Sequence, residues 1–219
     1  MIFGYKAAIF DMDGTILDSM PYWRLQNLTL LEKRNLPVPE EMGEDALYYT
    51  SSEALKLYIR KYNLSISMEE ALAEYEANMD ICYQTQIEPK PFAREFLEML
   101  HDRGVRMCIA TLTTLPVAKR ALEKHDLLRY FEFIAGGDTH SVGKGNPAYF
   151  PPVAKKLGCI PSECLLFEDA LYAMRGGKRA GCRVIALEDD KAKADRDEIL
   201  SIADIYAANF SELFQYFSP

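Results

Sequence analysis

Phe10-Asp11-Met12-Asp13-Gly14-Thr15-Ile16-Leu17-Asp18-Ser19 follows a short apolar run, Ala7-Ala8-Ile9-Phe10. An apolar run of that length that ends abruptly in carboxylates reads as a buried strand whose carboxyl end opens into a site. Residues two apart on a strand share a face, so Asp11 and Asp13 converge just where the chain turns at Gly14. Two converging carboxylates repel each other and cost desolvation unless a cation joins them. A hard, oxygen-preferring divalent ion such as Mg²⁺ meets that need. The competing reading is a solvated strand-to-loop turn, since Asp and Gly are common turn residues. The rest of the chain has to decide between them.

Working outward, residues 5–10 are expected to form the first strand. From Met20 to Tyr83 the apolar spacing becomes helical. Leu25, Leu28 and Leu31 mark one helix; Ala54, Tyr58 and Tyr62 mark another. Met68, Ala71, Leu72, Tyr75 and Met79 mark a third, with Ser67 and Glu70 as a capping pair. Turn residues Pro37 and Pro39 fall between them, so this stretch predicts a small helical bundle inserted after the first strand. Beyond Pro89-Lys90-Pro91 helix and strand alternate. Strands are expected over 105–110, 133–135, 164–167 and 182–187, with an edge strand near 203–206. Helices are expected over 92–103, 116–125, 148–157, 172–180 and 211–216. The fold class is therefore α/β: a Rossmann-like open parallel sheet with helices on both faces, plus a small all-α cap domain. The predicted catalytic core is residues 1–16 and 86–219, and the predicted cap is residues 17–85.

Bulk composition narrows the function. The 219 residues carry 25 Lys and Arg against 33 Asp and Glu, a net charge of −8. A nucleic-acid-binding surface would need a basic stripe, so nucleic acid is not an expected partner. An anionic substrate must instead be met by a local cation or dipole. The five cysteines are scattered, with no C-x-x-C pair, and read as reduced buried thiols. No signal-peptide layout and no membrane-length apolar run are seen, so the expectation is a cytoplasmic enzyme with no membrane partner.

Ligands of open parallel sheets sit off the carboxyl ends of the strands. The first strand ends in Asp11 and Asp13, the second in Thr111, and the fourth in Glu168-Asp169. Lys144 lies in Gly143-Lys144-Gly145 after the third strand. Taken singly, Thr111 reads as a cap or turn residue, Lys144 as a solvated loop cation, and Glu168-Asp169 as a helix-capping pair. Their joint arrival at one sheet edge favours a site.

With these residues in order, the chain resembles the haloacid dehalogenase superfamily, in its phosphatase and β-phosphoglucomutase-like branch with a helical cap of the C1 type. The matching elements are Asp11-Met12-Asp13-Gly14-Thr15, Thr111 after a strand, Gly143-Lys144, and Phe167-Glu168-Asp169. The resemblance implies Asp11 as nucleophile and Asp13 as general acid and base. It implies Mg²⁺ held by Asp11, the Asp13 backbone carbonyl and Asp169, with Glu168 adjacent. It places Thr111, the Leu112 backbone N–H at a helix start, and Lys144 on the substrate phosphate. The implied activity is hydrolysis of a small phosphorylated metabolite, such as a sugar phosphate or phosphoglycolate, through an aspartyl-phosphate. A β-phosphoglucomutase-like phosphomutase is the alternative, and a catalytically silent phosphate-sensing or partner-binding protein is a further one. Monomer and homodimer both remain open.

Some positions depart from the family pattern. Gly145 and Ala148 replace a usual Pro and Asp after the lysine, and Ala170 and Ala173 replace a usual Ser and Gly after the acidic pair. In the cap, a mutase would need a base for a second phosphate, and residues 45–55 carry none. A His usual among the family's mutases is Trp23 here. Tyr22, Trp23, Arg24, Tyr48 and Tyr49 are candidates to line the substrate pocket, or simply to pack the cap.

Overall fold

Ala7–Phe10 is a strand (β1) whose four residues are all buried. It lies at the centre of a six-stranded sheet in the computed structural model, which describes residues 4–37, 51–137 and 142–217. The other strands are β2 (Arg106–Ala110), β3 (Phe133–Ala135), β4 (Cys164–Glu168), β5 (Arg183–Leu187) and β6 (Ile205–Ala207). Their order is β3-β2-β1-β4-β5-β6, and every neighbouring pair is parallel. The chain's direction of growth across the sheet reverses between β1 and β4, the place where open sheets of this kind bind ligands.

Two compact units make up the chain: Met1–Asp18 with Glu88–Pro219, and Ser19–Ile87. The smaller unit contains α1 (Met20–Glu32), α2 (Ser51–Lys61) and α3 (Met68–Thr85). The Ser67 hydroxyl accepts from the Glu70 N–H, and the Glu70 carboxylate accepts from the Ser67 N–H, so the sequence-predicted capping box starts α3. Leu25, Leu28 and Leu31 fall on one helix, α1, as their spacing predicts, but they are unequally buried. Leu31 is buried, Leu28 is half-buried and Leu25 is 53% exposed. A three-residue step falls about 60° short of a full turn, so a stripe spaced by threes winds off the packed face. Leu30, beside Leu31, is buried as well.

The larger unit carries α4 (Ala93–Asp102), α5 (Leu115–Lys124), α6 (Phe150–Lys156), α7 (Leu171–Ala180), α8 (Arg196–Ile202) and α9 (Phe210–Phe217). Period-two alternation divides the strands between two cores. On one face Phe10 stacks on Phe167 with centroids 4.1 Å apart, and Phe96 of α4 meets Phe167, Phe210 and Phe217. On the other face Ile9, Cys108, Ala110, Leu166 and Val184 pack with Phe150, Val153 and Met174. The predicted helix over 148–157 opens as a 3-10 turn, Pro147–Tyr149, before α6. Proline at the first turn of α6 costs no hydrogen bond, because those N–H groups have no partner within the helix. No helix among the described residues is long and apolar enough to cross a membrane.

Candidate active site

Asp11 follows β1 directly, and its N–H donates to the Phe167 carbonyl at 2.9 Å, continuing the β1–β4 pairing. Alternation along β1 sets Asp11 on the face of Ile9, and alternation along β4 sets Glu168 on the face of Leu166. Because Ile9 and Leu166 are register partners, both acids reach the same side of the sheet at its ligand-binding edge. The chain then turns sharply. Gly14 has φ +81°, which its missing Cβ permits, and its N–H donates to the Leu17 carbonyl.

Among the described residues, Lys144 is the cation held between these acids. Its ammonium donates to Asp11 Oδ1 and, at 2.5 Å, to Glu168 Oε1. Lys144, Asp11, Glu168 and Asp169 are all buried. The second Glu168 oxygen, Oε2, accepts from the N–H groups of Asp169 and Ala170, each at 3.0 Å. Glu168 is thus committed to aiming Lys144 and shaping the turn into α7. The Thr15 hydroxyl donates to Asp169 Oδ1 at 3.4 Å.

The loop that presents Lys144 lies on α7. A Cβ on Gly176 would stand 2.0 Å from the Lys144 carbonyl oxygen, so this close approach needs glycine. Arg179 of α7 donates to the Gly145 carbonyl at 2.7 Å, and the Asn146 side chain accepts from the Ala148 N–H at 3.0 Å. These contacts hold the loop although Gly145 and Ala148 replace the Pro and Asp of the family pattern. Ala173, at the usual Gly position, is fully buried.

Asp13 faces the loop after β2. Its Oδ2 accepts from the Thr113 hydroxyl at 2.8 Å and from the Thr111 hydroxyl at 3.3 Å. Leu112 does not stand at a helix start: α5 begins at Leu115 with Thr114 as its N-cap. Pro116 sits in the first turn of α5, and the four residues 111–114 form a loop before it. The Leu112 side chain is exposed, and its N–H donates to no group among the described residues.

Thr113 and Gly176 are site residues that sequence reasoning did not single out, and Thr15 stood in the matching motif without a role. The Thr-Leu-Thr-Thr run at a strand end was the only available signal for Thr113. In the smaller unit, Tyr22 is half-buried and its hydroxyl donates to the Gln86 carbonyl at 3.4 Å. Trp23 is half-buried with its ring 5.7 Å from that of Tyr75. The Arg24 side chain and residues Tyr48 and Tyr49 lie outside the described residues.

Electrostatics expose a shortage of positive charge. Burial pushes the Asp11 carboxyl up to about 8; Lys144 opposes this, while Glu168 and Asp13 add repulsion. Burial, with Asp11 and Glu168 nearby, holds Asp169 well above the usual carboxylate range. Burial disfavours the Lys144 charge, yet Asp11 and Glu168 outweigh it and raise Lys144 well above its ordinary value. One ammonium therefore serves three buried acids. Carboxylate oxygens of Asp11, Glu168 and Asp169 lie within 4.8 Å of one another, an all-oxygen donor set that fits a hard divalent cation. Since both Glu168 oxygens are already engaged, Asp11 and Asp169 are the better placed ligands.

A buried carboxylate paired with a lysine, a second carboxylate held by hydroxyls, and an oxygen-rich donor set that fits a cation suit transfer of an anionic group. Comparison with known proteins agrees. The family model described as haloacid dehalogenase-like hydrolase matches residues 8–187. The phosphorylated carbohydrates phosphatase of Thermotoga maritima is 26% identical over 192 residues, covering 85% of this chain and 89% of that protein. The phosphoglycolate phosphatase of Aliivibrio fischeri is 27% identical over 191 residues, covering 83% of each. In fold, the crystal structure of CbbY from Rhodobacter sphaeroides in complex with phosphate matches with a TM-score of 0.79 at 22% identity, covering 95% of this chain and 96% of that one. With the matched span enclosing every acid, the threonine loop and the lysine of the site, the chain belongs to the haloacid dehalogenase-like hydrolases.

Proposed function

We propose that the protein is a Mg²⁺-dependent phosphatase acting on a small phosphate monoester of the sugar-phosphate or phosphoglycolate type. The observation that carries this reading is Lys144 buried between Asp11 and Glu168, with Asp13 held beside them by two threonine hydroxyls. The names of the relatives from Thermotoga maritima and Aliivibrio fischeri support the substrate class.

In the first step an Asp11 oxygen bonds to phosphorus while the bond from phosphorus to the ester oxygen breaks. Asp13 gives its proton to that departing oxygen. In the second step water attacks phosphorus, Asp13 takes its proton, and the bond to Asp11 breaks to release phosphate. The Thr111 hydroxyl, the Leu112 N–H and the Lys144 ammonium receive phosphoryl oxygens. Asp11, Asp169 and the Asp13 backbone carbonyl would hold Mg²⁺, which when bound supplies positive charge against the repulsion between a phosphate dianion and the carboxylates.

A screen of phosphomonoesters with Mg²⁺ supplied tests the reading. Phosphate release is expected with the wild type and is expected to be lost in Asp11→Asn. Release that survives Asp11→Asn would contradict the covalent route. Primed isomerisation of a hexose 1-phosphate, in place of net release, would assign the chain to the phosphomutases.

A further inference from the structure

We infer that Thr113 is a positioning residue that holds the Asp13 carboxyl for proton transfer to the ester oxygen. This rests on the phosphatase reading above and deepens it.

Thr111 and Thr113 converge on the same oxygen of Asp13, from 98 and 100 residues away in sequence. They are not equivalent. Each hydroxyl has a single proton to donate. Thr111, which would give its proton to a phosphoryl oxygen of bound substrate, lies at 3.3 Å from Asp13. Thr113 lies at 2.8 Å, the better hydrogen bond, and takes no part in phosphate binding on this reading. When substrate draws the Thr111 proton away, the Thr113 hydroxyl keeps its hold on Asp13.

Thr113 is itself fixed. It is 6% exposed. Its N–H donates to the Thr111 hydroxyl oxygen at 3.1 Å, and its carbonyl accepts from the Gly137 N–H at 3.1 Å. The Thr111 hydroxyl oxygen therefore accepts from Thr113 while its proton is free to move between Asp13 and substrate. That division of labour lets one short loop serve both the phosphate and the acid. A general acid works only within hydrogen-bond reach of the atom it protonates, so an Asp13 carboxyl free to rotate would lose that reach.

The test uses two esters of nearly equal shape: phenyl phosphate, whose leaving group needs a proton, and 4-nitrophenyl phosphate, whose leaving group does not. Asp13→Asn, Thr113→Val and Thr113→Ser are assayed with both, following kcat/KM because it reports departure of the leaving group. Thr113→Val is expected to lower kcat/KM for phenyl phosphate about tenfold more than for 4-nitrophenyl phosphate, in the same direction as Asp13→Asn. Thr113→Ser, which keeps the hydroxyl, is expected to stay within about threefold of wild type on both esters. A loss in Thr113→Val that is equal for the two esters, or no loss, overturns the inference, because damage to folding or phosphate binding does not discriminate leaving groups. If Asp13→Asn shows no leaving-group dependence, the assignment of Asp13 as acid fails and the inference falls with it. Leaving-group dependence in Asp13→Asn but not in Thr113→Val overturns the inference alone. Thr113→Ala provides the same comparison if the valine variant does not fold.

Discussion

Lys144 shares one ammonium between the buried carboxylates of Asp11 and Glu168, 133 and 24 residues away in sequence. Removing it leaves two buried acids with no other ion-pair partner among the described residues. Breaking a buried pair by deleting one partner costs about 3–5 kcal/mol, far more than losing a surface pair. Lys144→Met is therefore expected to lower the unfolding free energy of ion-free protein by that order in urea titration. Phosphate release is expected to fall at least about a hundredfold, since a donor to the phosphoryl group is lost as well. Unchanged stability would mean that the acids take up protons in place of the lysine.

The raised Asp11 and Asp169 carboxyls give ion-free protein a particular pH dependence. An unfolded aspartate loses its proton near 3.8, whereas folded Asp11 keeps it up to about 8. Between those values the folded state binds more protons than the unfolded chain, so stability falls as pH rises. Lys144, raised above its ordinary 10.5, stays charged in both states across this window and adds no slope. In EDTA the melting temperature is expected to be several degrees lower at about pH 7.5 than at about pH 5.5. Added Mg²⁺ is expected to raise it more at the higher pH, where both carboxylates are ready to bind. Calorimetry at the two pH values, with and without Mg²⁺, checks this; a flat profile in EDTA would contradict it.

Gly176 has no room for a methyl group beside the Lys144 carbonyl. Gly176→Ala must move either α7 or the lysine loop, and overpacking of this kind costs about 1–3 kcal/mol. Since the loop carries Lys144, the expected signature is a fall in kcat at a temperature well below the melting transition. Gly181→Ala offers a contrast: a Cβ there meets nothing within 4 Å, although φ is +99°. It is expected to lower stability while leaving kcat near wild type.

The capping box of the smaller unit is tested separately. Ser67→Ala removes the side-chain acceptor for the Glu70 N–H and is expected to cost about 1 kcal/mol. The change should appear in the unfolding transition and leave kcat alone, since Ser67 is proposed for no catalytic role.

What could be read from the chain without coordinates was whatever local periodicity and chain order encode. The apolar run ending in Asp11 announced a buried strand and its carboxyl edge. Alternation of helix and strand after Pro91 announced the parallel sheet, and Ser67 with Glu70 announced a helix start. The helix start that the resemblance implied at Leu112 lies instead at Leu115, because a turn of threonines has no periodicity to mark where a loop ends. Lys144 entered as a loop cation after the third strand, and the resemblance added its role on the phosphate.

The sequence by itself determined that the carboxylates and Thr111 would gather at one sheet edge, since strand alternation and parallel pairing leave them little choice, and that Lys144 would lie in the loop after the third strand. Only the tertiary structure decided how their atoms are shared. It turned Glu168 toward Lys144 and two backbone N–H groups, made Gly176 the seat of the lysine loop, and set Thr113 on Asp13. The physical reason is that hydrogen bonds have a reach near 3 Å and each proton serves one acceptor well. Which acceptor that is depends on how residues about a hundred positions apart pack, and no one-dimensional pattern carries that information.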